Sequence, residues 1–153
     1  MAGLSKGIQP SARRTAATAR ESAMSIEKRG TNEVSENLGG PALRTFFGIA
    51  DAWHLSEAEQ MKLLAISRRP TLHRWRVGKA ARLGRDRLER ISYVLGIFKA
   101  INILLPDPAR ASAWMRAANS ADVFGGGTAL ERMSRGNVAD LYVVRQYLDA
   151  QLS

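Results

Sequence analysis

A proline inside a basic run constrains this chain more than any other feature. The stretch from Ser56 to Lys79 reads SEAEQMKLLAISRRPTLHRWRVGK. Pro70 disfavours a helical conformation in Arg69, so a helix entering from the left must end there or earlier. Ser56 with Glu59 three residues on has the form of a capping box, which starts that helix. Ala58, Met61, Leu64 and Ala65 fall at helical spacing and are expected to form its apolar face. Thr71 is expected to cap a second short helix over Leu72 to Arg76, with Gly78 as its stop. Leu72 and Trp75 lie three apart and should face inward, which turns His73, Arg74 and Arg76 outward.

Two short helices joined by a tight turn, with arginines on the second, is the layout of a helix-turn-helix DNA reader. An ordinary helical hairpin with a solvated basic face would look similar, and the distribution of charge separates the two. The chain carries a formal charge of +9. Residues 41 to 92 hold eleven basic and five acidic residues, whereas the flanks are nearly balanced. Arg68, Arg69, Arg74, Arg76, Lys79, Arg82, Arg85, Arg87 and Arg90 are opposed within their own stretch only by Asp86 and Glu89. A solvated helix surface would alternate signs, so a one-sided cluster beside such a motif favours phosphate contact. Thr71, His73 and Arg74, at the start of the second helix, are placed for base edges. Arg68, Arg69, Arg76 and Lys79 are placed for phosphates, which position without specifying. The run LAISRRPTLHRW resembles the Xre/Cro-like pattern, in which L-G-I-S precedes T-L-x-R-W. Here Ala65 replaces the usual glycine, and Arg69-Pro70 lengthens the turn by about one residue.

Helical periodicity governs the remainder, and the expected fold class is all-α. Residues 1–40 are poor in apolar side chains and are expected to form an arm that is disordered or dimerising. Gly39-Gly40-Pro41 marks a boundary, after which Leu43, Phe46, Phe47, Ala50 and Trp53 give the first helix of a reader domain over residues 41–85. Residues 86–153 then form a connecting helix and a second small domain. Asp86 is expected to cap a long helix to about Leu105, with Leu88, Ile91, Val94, Leu95, Phe98, Ile101, Asn102 and Leu105 as its stripe. Its surplus apolar surface invites a second subunit, and a two-fold operator also implies a homodimer. Pro106-Asp107-Pro108 ends it, and Asp107 caps the next helix with Pro108 at the tolerated first position. Thr128 and Glu131 form a second capping box. After Gly136 a last helix carries Leu141, Val144, Tyr147 or Leu148, and Leu152 inward.

Composition argues against several classes of function. The absence of cysteine excludes disulfides and thiolate metal sites and fits a cytoplasmic chain. No apolar run approaches the roughly 20 residues of a membrane span. The N-terminus lacks an apolar signal segment. The triple Gly125-Gly126-Gly127 has neither the spacing nor the following Lys-Ser/Thr of a phosphate loop, so it reads as a turn with positive φ. With His54 and His73 alone and no paired carboxylates beside a base, no catalytic or metal residue is assigned, and no cofactor is expected.

The C-terminal half carries a specific resemblance. Ala113-Trp114-Met115-Arg116-Ala117-Ala118-Asn119, then Phe124-Gly125-Gly126-Gly127-Thr128-Ala129-Leu130-Glu131-Arg132-Met133, then Gly136, is similar to the toxin-binding domain shared by Xre, MbcA and ParS proteins. That family has a tryptophan helix, an asparagine, a glycine-containing turn, T-P-L-E-x-L/M and a glycine before the final helix. Alanine at position 129 replaces the usual proline. Trp114, Asn119, Phe124, Gly125, Gly126, Thr128, Leu130 and Gly136 are therefore the structural motif. The resemblance covers residues 42 to 153. It implies an antitoxin of a type II toxin–antitoxin pair that represses its own operon. The partner implied is a RES-domain toxin that depletes NAD, with the antitoxin covering its active-site entrance. Tyr142, Arg145 and Asp149, on the last helix, and the terminal Gln151, Leu152 and Ser153 are the candidate toxin contacts. Two other classes stay open: a stand-alone regulator whose C-terminal half dimerises or senses a ligand, and an adaptor that borrows the toxin-binding domain.

Overall fold

The computed structural model describes residues 39–79 and 82–153. Among these residues the architecture is all-helical, with one isolated bridge between Ala118 and Thr128. The expected N-terminal arm lies outside the described residues, apart from Gly39 and Gly40. Helix α1 runs through residues 39–52, and Gly39, Gly40 and Pro41 are its first described residues. Leu43, Phe46, Phe47, Ala50 and Trp53 are all buried, as their spacing predicts.

Helix α2 spans Glu57–Leu64, and the Ser56/Glu59 capping box is fully formed. Its buried residues are Gln60, Leu63 and Leu64, so the apolar face is rotated from the expected one. Met61 is half-buried, and Ala58 and Ala65 are exposed. Gln60 tolerates burial because its Nε2 donates to the Leu55 carbonyl at 3.0 Å. Ala65 ends the helix in the left-handed region, at φ 54° and ψ 46°.

Helix α3 spans Arg69–Arg76. Thr71 is not its cap: the helix starts three residues earlier than expected, with Arg68 at the N-cap. The reason is that a proline in the first turn lacks only an N–H that has no intrahelical partner there. Leu72 and Trp75 are buried, while His73, Arg74 and Arg76 are exposed, as the three-residue spacing requires.

Helix α4, Arg85–Leu104, is the spine, and it packs against both halves of the chain. Gly84, not Asp86, occupies its N-cap. Asp86 lies within the first turn and pairs instead with Arg90 at 3.0 Å. Helix α5, Pro108–Arg116, is capped by Asp107, whose Oδ1 accepts from Ala109 N at 3.1 Å. A 3-10 turn at Asp122–Phe124 leads into α6, Ala129–Met133, which carries the Thr128/Glu131 capping box. Helix α7, Val138–Leu152, lies along α4 and buries Leu141, Val144 and Leu148. Leu152, expected to face inward, is 41% exposed at the end of the helix. No helix among the described residues is long and apolar enough to cross a membrane.

Candidate DNA-reading and partner-binding surfaces

The α2–turn–α3 unit presents the second helix outward on a core of Leu63, Leu64, Leu72 and Trp75. Arg68, Arg69, His73, Arg74, Arg76 and Lys79 are all exposed, and Thr71 is half-buried. They divide by partner. Glu57, in the first turn of α2, accepts from His73 Nε2 at 2.8 Å and lies 3.9 Å from Arg69. The hydrogen bond from His73 is the main cause of a Glu57 carboxyl held below its ordinary range. Arg76 pairs with Asp51 of α1, and its guanidinium lies 5.2 Å from the centre of the Phe47 ring. Among the described residues, Arg68, Arg74 and Lys79 form no ion pair. These three side chains can therefore meet an incoming polyanion without first giving up a carboxylate.

Not all of the basic cluster faces outward. Arg90 is buried against Asp86. Arg87 lies 5.3 Å from the centre of the Trp75 ring and donates to the Ala65 carbonyl at 3.3 Å. Arg87 braces the reader against α4, Arg90 is held within α4 itself, and both are removed from the phosphate-facing set. Sequence proximity grouped them with Arg68 and Arg74; the turn of α4 separates them.

In the C-terminal half the motif residues make one connected structure. Phe124 packs edge-on between Trp114, at 6.0 Å between ring centres, and Tyr147, at 5.1 Å. Asn119 Oδ1 accepts from Ala121 N at 2.9 Å, and its own N–H donates to Gly127 O at 3.0 Å. Gly125 and Gly126 have φ of 56° and 84°, which is the positive-φ turn expected of the glycine run. Leu130 is buried beneath, and Gly136 joins α6 to α7. Arg132 and Asp140 tie α6 to α7 at 2.8 Å.

Tyr142, Arg145 and Asp149 share one face of α7. Tyr142 is 44% exposed and packs edge-on against Tyr93 of α4, with ring centres 5.8 Å apart. Burial, then a hydrogen bond to Glu89, pushes the Tyr93 hydroxyl above its ordinary range. Arg145 Nε donates to Asp149 Oδ2 at 3.2 Å. Its guanidinium lies against Gly96, where a Cβ would fall 1.7 Å from Nη1. Gln151, Leu152 and Ser153 are exposed at the far end of the same helix.

One residue missed by the sequence reading connects the halves. Arg116 of α5 grips Glu59 with two hydrogen bonds, at 3.0 and 3.1 Å, and donates to the His54 carbonyl at 2.8 Å. Glu59 is also the reciprocal cap of α2. Partial burial raises its carboxyl, but Arg116 and the Ser56 N–H outweigh this and leave it below the ordinary range. Arg116 was visible inside the Trp114 segment, but a contact across 57 residues leaves no local signal.

A helix-turn-helix unit fused through a long helix to a small helical domain, itself built on a specific Trp–Asn–Gly-turn motif, defines a DNA-binding regulator with a second binding domain. Residues 34–96 match the antitoxin Xre-like helix-turn-helix domain, and residues 100–152 match the antitoxin Xre/MbcA/ParS C-terminal toxin-binding domain. The chain belongs to this antitoxin family. A relative, the uncharacterized protein y4oB of Sinorhizobium fredii, is 44% identical over 124 residues, which span 80% of this chain and 94% of that protein. No solved structure matches the chain.

Proposed function

We propose that this chain is the antitoxin of a type II pair whose toxin is a RES-domain enzyme that depletes NAD, and that it represses the operon encoding both. The observation that carries this reading is the pairing of the two domains on one spine. A toxin-binding domain follows an exposed, cationic recognition helix, and α4 packs against both. The chain performs no chemistry in this scheme. The exposed face of α7, with Tyr142, Arg145 and Asp149, and the terminal Gln151, Leu152 and Ser153, lies over the entrance to the toxin's active site. Access of a small substrate is blocked by volume rather than by reaction.

On DNA, Arg74 and Thr71 reach base edges from the first turns of α3, and Arg68 and Lys79 hold phosphates. His73, Arg69 and Arg76 join them once DNA displaces Glu57 and Asp51, exchanging one anion for another. Two chains meet the two halves of a palindromic operator. Exposed Ile103, on the spine, contributes apolar surface to that dimer.

The test is co-expression with the adjacent toxin gene. The toxin alone should arrest growth and lower cellular NAD, and this chain should restore both. Growth arrest with NAD unchanged would reject the RES assignment. Arrest that this chain does not relieve would reject the antitoxin reading and leave a stand-alone regulator.

A further inference from the structure

Among the described residues, one cleft stands apart from α3 and from the exposed face of α7. It lies where the reader meets the C-terminal domain and encloses about 700 Å³. One wall is α2, through Glu59 and Lys62; the other is α6 and the turn after it, through Thr128, Leu130 and Arg135. Arg116 closes the back.

The hydrogen-bonding state of this lining decides what fits it. The protein satisfies one of the two carboxylates fully and the other in part. Glu59 is held by Arg116 and by the Ser56 N–H, and Glu131 accepts from the Thr128 N–H at 3.3 Å. Among the described residues, the lining charges without an ion pair are Lys62, Arg135 and Glu131, two cations against one carboxylate. Ser134, also in the lining, has a buried hydroxyl with no hydrogen-bond partner. The open donors of Lys62 and Arg135 outnumber the acceptor capacity left on Glu131, and this excess favours an anion over a cation. The volume lies within the range of small-molecule sites and exceeds what a bare phosphate needs. Leu130 offers apolar surface beside the donors.

We infer that this cleft is a binding site for a small phosphate-bearing ligand of mononucleotide size, held by Lys62 and Arg135 across the junction of the two domains. Its walls belong to different halves of the chain, so occupancy cross-links them beside Arg116. A bound ligand therefore biases the angle between the DNA-reading helix and the toxin-binding domain.

The experiment is isothermal titration of the full chain with ADP and, separately, with inorganic phosphate. It is run on wild type, Lys62→Ala, Arg135→Ala and the control Lys99→Ala, which removes an exposed charge on α4. A nonspecific DNA duplex is titrated in parallel, and thermal unfolding checks each fold. Saturable ADP binding, weakened about tenfold or more by either cleft substitution and changed less than about twofold by Lys99→Ala, supports the site. Absence of saturable binding, or equal loss in all three variants, overturns it. Weakening by the cleft substitutions of duplex binding alone would assign these residues to the DNA backbone and also overturn it.

Discussion

Replacing Ala65 by glycine should stabilise the protein, and the amount follows from the turn. Ala65 ends α2 with φ 54° and ψ 46°. For a residue with a Cβ, that conformation costs about 1–2 kcal/mol. Its side chain is exposed, so truncation forfeits little packing. The hydrogen bonds at this cap come from the backbone: Ala65 N–H donates toward Lys62 O, and Ile66 N–H donates to Met61 O at 2.9 Å. Glycine keeps them all. Against the relief stands the greater freedom of glycine in the unfolded chain, about 0.4–1 kcal/mol. The net is a gain of about 0.5–1 kcal/mol, or roughly 1–4 °C in Tm for a chain of this size. Urea unfolding monitored by tryptophan fluorescence should show a higher midpoint at unchanged slope. Ala65→Val should move it the other way, because a β-branched residue tolerates positive φ worse than alanine. A midpoint that is unchanged or lower in Ala65→Gly would show that the turn is not strained at this residue, and the reasoning would fail.

Phe124→Ala removes the ring between Trp114 and Tyr147 and should cost about 3–5 kcal/mol, read as a fall in the urea midpoint. Glu59→Gln should cost about 1 kcal/mol near neutral pH, the upper end for a partly exposed ion pair. Because the folded carboxyl lies below its unfolded value, that contribution is complete above the ordinary glutamate range and is lost as pH falls through it. Wild type and variant should therefore converge in acid melts once pH falls well below the ordinary glutamate range; a constant difference would remove Arg116 as the cause. Gly96→Ala should dislodge the Arg145 guanidinium and break its pair with Asp149 at a cost under about 1 kcal/mol, because the flexible end of the arginine moves. Amide shifts confined to α4 and α7 would register it, and global unfolding would refute it.

Local chemistry made most of the fold legible. Ser56 with Glu59, and Thr128 with Glu131, announced two helix starts that the structure realises atom for atom. Leu72 and Trp75 placed the inner face of α3. The errors have local physical causes. Thr71 and Asp86 are good cap residues, but the first-turn tolerance for Pro70 moved one helix start and Gly84 took the other. Counting Met61 and Ala65 as core on spacing alone overlooked Gln60, whose burial depends on the Leu55 carbonyl. Surface chemistry was less legible. The exposure of Arg74 followed from periodicity, whereas the pairing of His73 with Glu57 and the stacking of Arg87 on Trp75 depend on how elements cross. Arg116 and the cleft it closes were invisible for the same reason.

The most direct test separates the two surfaces in one chain. Arg74→Ala and the double variant Tyr142→Ala/Arg145→Ala would be assayed side by side for operator binding, as the ratio of specific to nonspecific affinity, and for capture of the co-expressed toxin. Arg74→Ala should lose about 1–3 kcal/mol of operator preference and retain the toxin. The double variant should retain the operator and lose the toxin. If folded Arg74→Ala keeps its full operator preference, or the double variant still captures toxin at wild-type strength, the account of which face does which work is wrong.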